Sequence, residues 1–372
     1  MTFLVIAVLI PATLAAGYYF AFTILGMWKP RTIRGPERTF AVLIPAHDEE
    51  PSIAATVASV LLSDYPKEKI HVLVVADNCT DRTADVAWAA GAVCFERDNL
   101  EERGKGFALA FGIPLALRTG AAAVVILDAD AVLDSQALRT FDTALQTSPA
   151  VQAAVVSRNP TAGPTTLVTA VGTAIDNAVD AGRTRLGRPV TLRGNGMGFA
   201  RELLERHPWT EFGLTEDAEY TVRLHAVGIR VAFRPDAIVR SEAPASVDAL
   251  TTQRRRWRAA LRVPGQNWVL RFLSSKPLVL GQLIGTILIV LALAAWLPIE
   301  VAVGVLSWCG LLIAMTGLVY LRAILETGVA FRSVCGASSI RTVSRLGWLT
   351  LGAAFDHGRT WQRTPRVTEL VR

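Results

Sequence analysis

The sequence predicts a doubly wound α/β domain carried on membrane-crossing helices, and three observations carry that reading. Short apolar runs alternate with helix-like stretches from Thr39 to about Asn159, the pattern of βαβ units around a parallel sheet. Long uncharged runs stand near both ends of the chain. The formal charge is +6 over 372 residues, with the surplus gathered beyond the last of those runs.

Taken in order, residues Thr2 to Trp28 carry no charged side chain and are followed by Lys29, Arg31 and Arg34. About 20 apolar residues span a bilayer core. A cleaved signal peptide would carry its charges before the run, not after it. The positive-inside rule then places the basic end in the cytoplasm, so 1–28 is expected as an N-terminal membrane helix. Strand-like runs follow at Phe40–Pro45, His71–Ala76, Val93–Phe95 and Ala123–Leu127. They are nearly continuous in apolar residues, as strands buried on both faces should be. Ser52–Leu62, Arg82–Ala90 and Lys105–Leu117 read as the helices between them, with Thr80 or Asp81 capping the second. Residues 38–245 make up the expected α/β domain and 246–275 a set of interfacial helices. Pro277–Ile299 and Val301–Leu321, broken at Pro298 and Glu300, read as a helical hairpin over 276–322. Its two ends share the cytoplasm with the α/β domain. Residues 323–372 form a basic amphipathic cytosolic tail, in which Trp348 and Trp361 accompany Leu346, Leu349 and Leu351.

Composition narrows the function. With 51% hydrophobic and 19% charged residues, the chain is not built like a disordered one. Four cysteines (Cys79, Cys94, Cys309, Cys335) make no disulfide framework and lack metal-ligand spacing. Those on the cytosolic side are expected as reduced thiols. From Arg322 onward eight arginines face three acidic residues, so +5 of the +6 lies there. A nucleic-acid binder would carry a basic stripe on its folded domain, which excludes that class of partner. Beside a membrane, anionic lipid attracts each Arg by about 1 kcal/mol. The lipid bilayer is thus the expected partner, and the inner (plasma) membrane the expected location.

Ligands of doubly wound sheets collect beyond the carboxyl ends of the strands. The first strand runs into Pro45-Ala46-His47-Asp48-Glu49-Glu50, the second into Asp77-Asn78-Cys79-Thr80-Asp81 and the fourth into Asp128-Ala129-Asp130. Any one of these carboxylates could cap a helix. Three groups on one rim repel unless a cation or a donor-rich ligand joins them. Asp128 and Asp130 can hold one Mg²⁺ or Mn²⁺, an ion that favours carboxylates plus substrate phosphates. Arg103-Gly104-Lys105-Gly106 opens a helix, which suits an anion but equally an ordinary turn with a solvated lysine. Thr191-Leu192-Arg193-Gly194-Asn195-Gly196-Met197-Gly198 is a turn that allows close backbone approach. Leu214-Thr215-Glu216-Asp217 places an acidic pair ahead of the helix-like Ala218–Ala226. That pair is either a helix start favoured by the dipole or a chemical group. Gln253-Arg254-Arg255-Arg256-Trp257 reads as a basic surface helix with an aromatic face.

In this order, Pro45-Ala46-His47-Asp48-Glu49, Asp77, Lys105, Asp128-Ala129-Asp130, Thr215-Glu216-Asp217 and Gln253-Arg254-Arg255-Arg256-Trp257 resemble the membrane-embedded family 2 glycosyltransferases. That group includes the cellulose, chitin, hyaluronan and poly-N-acetylglucosamine synthases. The likeness spans about residues 39–275. It implies a GT-A fold and inversion by a single displacement. It further implies that Ala46, Asp77 and Lys105 line a nucleotide-sugar donor, with Asp48, Glu49 or both near the ribose and Asp128 near the nucleotide. Asp130 would contact the metal, Mg²⁺ or Mn²⁺. Asp217 would be the base that deprotonates the acceptor hydroxyl, with Glu216 beside it. Gln253, Arg256 and Trp257 would close over diphosphate and acceptor, and Asn195 lies in the acceptor-side turn. The turn Arg193-Gly194-Asn195-Gly196 differs from that of the polymer synthases, and three membrane helices make a meagre channel. Protomers then combine into a homo-oligomer, the product is short, or the acceptor is a lipid. The expected reaction is transfer from a UDP-linked sugar to a surface polysaccharide. The alternatives are glycosylation of a polyprenyl phosphate or diacylglycerol, and a UDP-binding membrane protein without turnover.

Overall fold

The computed structural model describes residues 2–27, 35–251 and 296–330, together with 253, 285, 287, 333, 336–339, 341–343 and 345. Helix α1 (Thr2–Leu25) precedes strand β1 (Phe40–Ala46). Then come α2 (Ile53–Leu61), β2 (Ile70–Asp77), α3 (Thr83–Ala89), β3 (Val93–Arg97), α4 (Lys105–Arg118) and β4 (Ala123–Ile126). These match the expected strands and helices to within about two residues. Beyond them lie β5 (Val132–Leu133), α5 (Ala137–Ala144), β6 (Ala150–Ser157), α6 (Pro164–Arg185) and β7 (Met197–Ala200). They are followed by α7 (Arg201–Arg206), α8 (Glu216–Ala226), β8 (Val231–Ser241) and α9 (Ile299–Thr327).

One sheet of eight strands, in the order β3-β2-β1-β4-β7-β6-β8-β5, organises the described domain. β1 pairs in parallel with β2 and β4, and β2 with β3. β7 runs antiparallel between β4 and β6, so β6 and its parallel neighbour β8 point the same way as β4. The carboxyl ends of six strands and the start of β7 therefore share one rim. Successive side chains of a strand face opposite sides. Phe40, Val42 and Ile44 accordingly pack toward α2 and α5, while Ala41 and Leu43 pack toward α4 and α8. All five are fully buried, each large one contributing roughly 1.5–3 kcal/mol.

Helix α6 joins the sheet to the terminal helices. Val171, Ala174, Ile175 and Val179 of α6 cluster with Val319, Ala323 and Ile324 of α9 and with Phe20 and Phe22 of α1. At Gly26 and Gly182 the crossing is so close that a Cβ on either would strike the facing backbone carbonyl, of Ala178 and Phe22 respectively. Small residues four apart permit such an approach. α1 and α9 run parallel: Trp308 Nε1 donates to Thr13 Oγ1 at 2.9 Å, and Arg322 donates to the carbonyls of Thr23 and Gly26. Arg322, expected at the cytosolic end of the hairpin, caps the open carbonyls of α1 and pairs with Glu326 at 2.8 Å. α9 starts after Pro298, as expected, but continues to Thr327, where Gly328 (φ 66°) stops it. Among the described residues α9 is the helix long and apolar enough to cross a membrane, and α1 is an apolar helix of 24 residues. The first arm of the expected hairpin and most of the basic tail lie outside the described residues.

Candidate active site

Two groups of side chains occupy the rim. At the ends of β1 and β2 the chain turns through Asp48 (φ 51°) and Asn78 (φ 52°), left-handed conformations that Asn and Asp tolerate. Asp48 Oδ1 accepts the Thr80 N–H at 2.6 Å. Glu49 Oε2 accepts from Ser52 at the start of α2, and the Glu49 N–H donates to Thr83 at 2.7 Å. Asp81 accepts the N–H groups of Thr83 and Glu50, at 2.9 and 3.0 Å, while the N-cap position of α3 itself is Arg82 rather than the expected Thr80 or Asp81. Asp77 is buried and paired with Arg97 at 2.7 Å. Ala46 is buried beneath this group. Asp48, Cys79 and Asp81 bring ligand atoms within 4.8 Å of one another, but backbone N–H groups already engage both carboxylates. Cys79 and Cys94, expected as reduced thiols, are free, as is Cys309, while Cys335 is outside the described residues.

The second group lies between β4, α4 and α8. Lys105 opens α4 and reaches across to Asp128 Oδ1, forming an ion pair, while its Nζ also donates to the Gly194 carbonyl at 2.6 Å. Glu216 and Asp217 open α8 on the far side of that ammonium. Burial pushes the Glu216 carboxyl up to about 7, with the Asp217 charge adding to the rise and Lys105 opposing it. Burial likewise raises Asp217 to about 6, against the Ala218 N–H and Lys105, which both favour the charged form. Asp130 also rises to about 6, through burial first and then the neighbouring Asp128 and Glu242 charges. One lysine thus faces more carboxylates than it can neutralise.

Asn195 takes a part in the architecture that its expected place in the acceptor turn did not foretell. Its Oδ1 accepts the Asp128 N–H at 3.1 Å and its Nδ2 donates to Ser241 Oγ at 2.8 Å. The same side chain therefore ties the end of β4 to the end of β8. Thr221 of α8 donates to the Asp217 carbonyl and accepts the Leu192 N–H, at 2.8 and 3.0 Å. Of the closing motif, Gln253 is helical and half-buried, and Arg256 and Trp257 fall outside the described residues.

The oxygen donors at the end of β4 suit a divalent cation. Asp128, Asp130 and Glu242 are hard carboxylates whose mutual repulsion such an ion would relieve. Glu242 escaped the sequence reading because the antiparallel register of β5 and β8, with Val132 opposite Arg240, is what brings it beside Asp130. A cavity of about 400 Å³ among Leu61, Ile70, Val93, Phe95 and Leu115 lies at the opposite, amino-terminal ends of the strands, away from this chemistry.

The sheet order and this rim define a GT-A-like α/β fold. The mannosyltransferase PcManGT of Pyrobaculum calidifontis, solved in complex with GDP-Man and Mn²⁺, shares it with a TM-score of 0.58 at 19% identity, covering 88% of this chain and 98% of its own. Residues 36–260 match the model of glycosyltransferase like family 2, and the chain belongs to that family. Among curated relatives, the "Probable glycosyltransferase YdaM" of Bacillus subtilis is 26% identical over 63% of this chain and 57% of its own length. The beta-monoglucosyldiacylglycerol synthase of Nostoc sp. is 28% identical over 69% of this chain and 54% of its own. That of Synechocystis sp. is 28% identical over 60% and 47%. The chain thus spans about half the length of the relatives it matches.

Proposed function

We propose that this family 2 enzyme is an inverting membrane glycosyltransferase that moves one sugar from a nucleotide-diphosphate donor to the hydroxyl of a membrane lipid. The observation that carries this is the position of the acidic group: the turn beside Asp217 is built onto α6, and α6 packs on the apolar helices α1 and α9. A hydroxyl presented from the membrane face has a short route to that carboxylate. The relatives named as diacylglycerol glucosyltransferases favour the lipid acceptor over the surface polysaccharide.

In this reading Asp217 takes the proton of the acceptor hydroxyl as the hydroxyl oxygen attacks the anomeric carbon. A carboxylate raised toward 6 is a stronger base than an ordinary one and is still ionised at neutral pH. Lys105 keeps it ionised and offers a positive charge to the departing diphosphate. Asp130, with Asp128 and Glu242, would hold Mg²⁺ or Mn²⁺, which when bound supplies charge neutralisation for the diphosphate. Ala46, Asp77, Asp48 and Glu49 shape the nucleoside end. Gln253, Arg256 and Trp257 remain assigned to closure over the diphosphate, for which arginine's planar fork is suited. α1, α9 and the hairpin arm before α9 anchor the enzyme in the inner membrane with this domain in the cytosol.

The test offers radiolabelled UDP-glucose, UDP-galactose, UDP-N-acetylglucosamine and GDP-mannose to the full chain in proteoliposomes containing diacylglycerol or polyprenyl phosphate, with Mg²⁺ or Mn²⁺. An organic-soluble product bearing one sugar is expected. Label recovered as a water-soluble polymer would overturn the lipid acceptor, and no transfer with nucleotide binding retained would overturn the enzyme reading.

A further inference from the structure

Arg193 immediately precedes the glycine whose carbonyl holds Lys105, and its side chain points away from the rim into α6. Its guanidinium is ion-paired with Asp180 and donates to Asn177 Oδ1 at 2.7 Å. It also lies 5.4 Å over the Phe233 ring. The ion pair is enclosed, with the two side chains 22% and 13% exposed, too sheltered for charges that serve solubility alone. On the main chain, the Arg193 N–H donates to Gln152 Oε1 at 2.8 Å, while Gln152 Nε2 donates to the Asn195 carbonyl at 2.8 Å. Both sides of the glycine are therefore clamped.

Gly194 itself adopts φ 78°, and a Cβ there would lie 3.4 Å from Asp217 Oδ2 and 3.5 Å from Lys105 Nζ. The turn is in direct contact with the acidic group, so a shift in its backbone moves the carbonyl that Lys105 binds. We propose that Arg193 is a positioning residue: pinned to α6 by Asp180 and Asn177, it fixes the Gly194 carbonyl that holds the Lys105 ammonium beside Asp128 and Asp217. Because α6 packs on α1 and α9, the same pin ties the geometry of the site to the membrane end of the molecule. Asp180 and Asn177 belong to a helix that the sequence motifs do not touch. The kinetic part of the test rests on the proposed transfer reaction, but the labelling part does not.

The test uses the purified full chain with Arg193→Ala, Asp180→Ala, both together, and Arg193→Lys. Brief acylation with an N-hydroxysuccinimide ester, followed by peptide mass spectrometry, compares Lys105 with Lys69. Loss of the pin should raise Lys105 labelling about fivefold or more while leaving Lys69 unchanged. The double variant should go no further than Arg193→Ala alone, since that change already removes the ion pair with Asp180. With the best donor of the panel, turnover should fall about tenfold or more while the donor KM stays within about threefold. Arg193→Lys should recover part of that turnover. Unchanged Lys105 labelling in Arg193→Ala would overturn the proposal, as would a parallel rise at Lys69, which signals general loosening. If the wild-type chain transfers from no donor, the proposed function fails, and the labelling result still decides the role of Arg193.

Discussion

The two ends of the carboxylate rim treat the same chemical group in opposite ways. At the ends of β1 and β2, Asp48, Glu49 and Asp81 accept backbone N–H or hydroxyl groups, and Asp77 is matched by Arg97. At the end of β4 and the start of α8, Asp128, Asp130, Glu216 and Asp217 crowd around Lys105, and burial raises the last three from Asp130 onward. The first arrangement stabilises a turn. The second is electrostatically unfavourable as it stands and becomes favourable when a cation, a diphosphate or a proton is exchanged. A carboxylate's neighbours, rather than its place on the rim, separate a structural acid from a chemical one.

The difference between the two ends should be largest at Asp217. Asp217→Asn should cut transfer by about 10³-fold, within the usual span for a general base, while UDP or GDP binding measured by calorimetry stays within about twofold. Comparable residual turnover would return Asp217 to the role of helix start. Asp130→Ala should follow, losing most activity together with the response to added Mg²⁺ or Mn²⁺, read from a metal titration of the initial rate. Undiminished metal-dependent transfer would remove Asp130 from the site.

Glu216 gives a smaller, pH-dependent effect on stability. Its folded value near 7 lies above the ordinary 4.5, so the folded chain holds a proton that the unfolded chain releases. Its contribution is fully present below about pH 4.5 and is lost as pH rises through 7. Glu216→Gln should therefore raise the melting temperature at pH 8, by an amount corresponding to about 1–3 kcal/mol, and change it little at pH 4. A uniform shift at both pH values would deny the burial of a charged carboxylate. Least affected should be Asp48→Asn, which keeps a residue that tolerates the left-handed turn and weakens the hydrogen bonds from the Thr80 N–H and hydroxyl: about 1 kcal/mol of stability and a donor KM change of a few-fold.

Much of this was legible in the chain itself. β1, β2 and β4 declared themselves because both faces are covered and nearly every residue is apolar, as in Phe40-Ala41-Val42-Leu43-Ile44, whereas β3 is an edge strand with none of its residues buried. The motifs on their ends fell where strand termini must fall. What stayed hidden depends on pairing between distant strands: β7 is only four residues long, and β8 carries Arg234 and Asp236 inside its run. Without that register nothing marks Glu242 as a neighbour of Asp130. α6 was hidden for a different reason. Its two faces serve different partners, the sheet and the terminal helices, and polar Asn177 and Asp180 interrupt the apolar stripe at the point where they engage Arg193. The charge count could not mark Arg322 as the residue that a helix end consumes.

In the proposed reaction the acidic group around Lys105 is held ready for proton transfer by its own crowding. The pH dependence of kcat/KM for transfer to diacylglycerol in proteoliposomes tests it most directly. With Asp217 raised to about 6, the rate should fall about tenfold per pH unit below an apparent pKa near 6, a value that belongs to the coupled group as a whole. A profile that stays flat down to about pH 5, as an ordinary carboxylate base would give, contradicts the account.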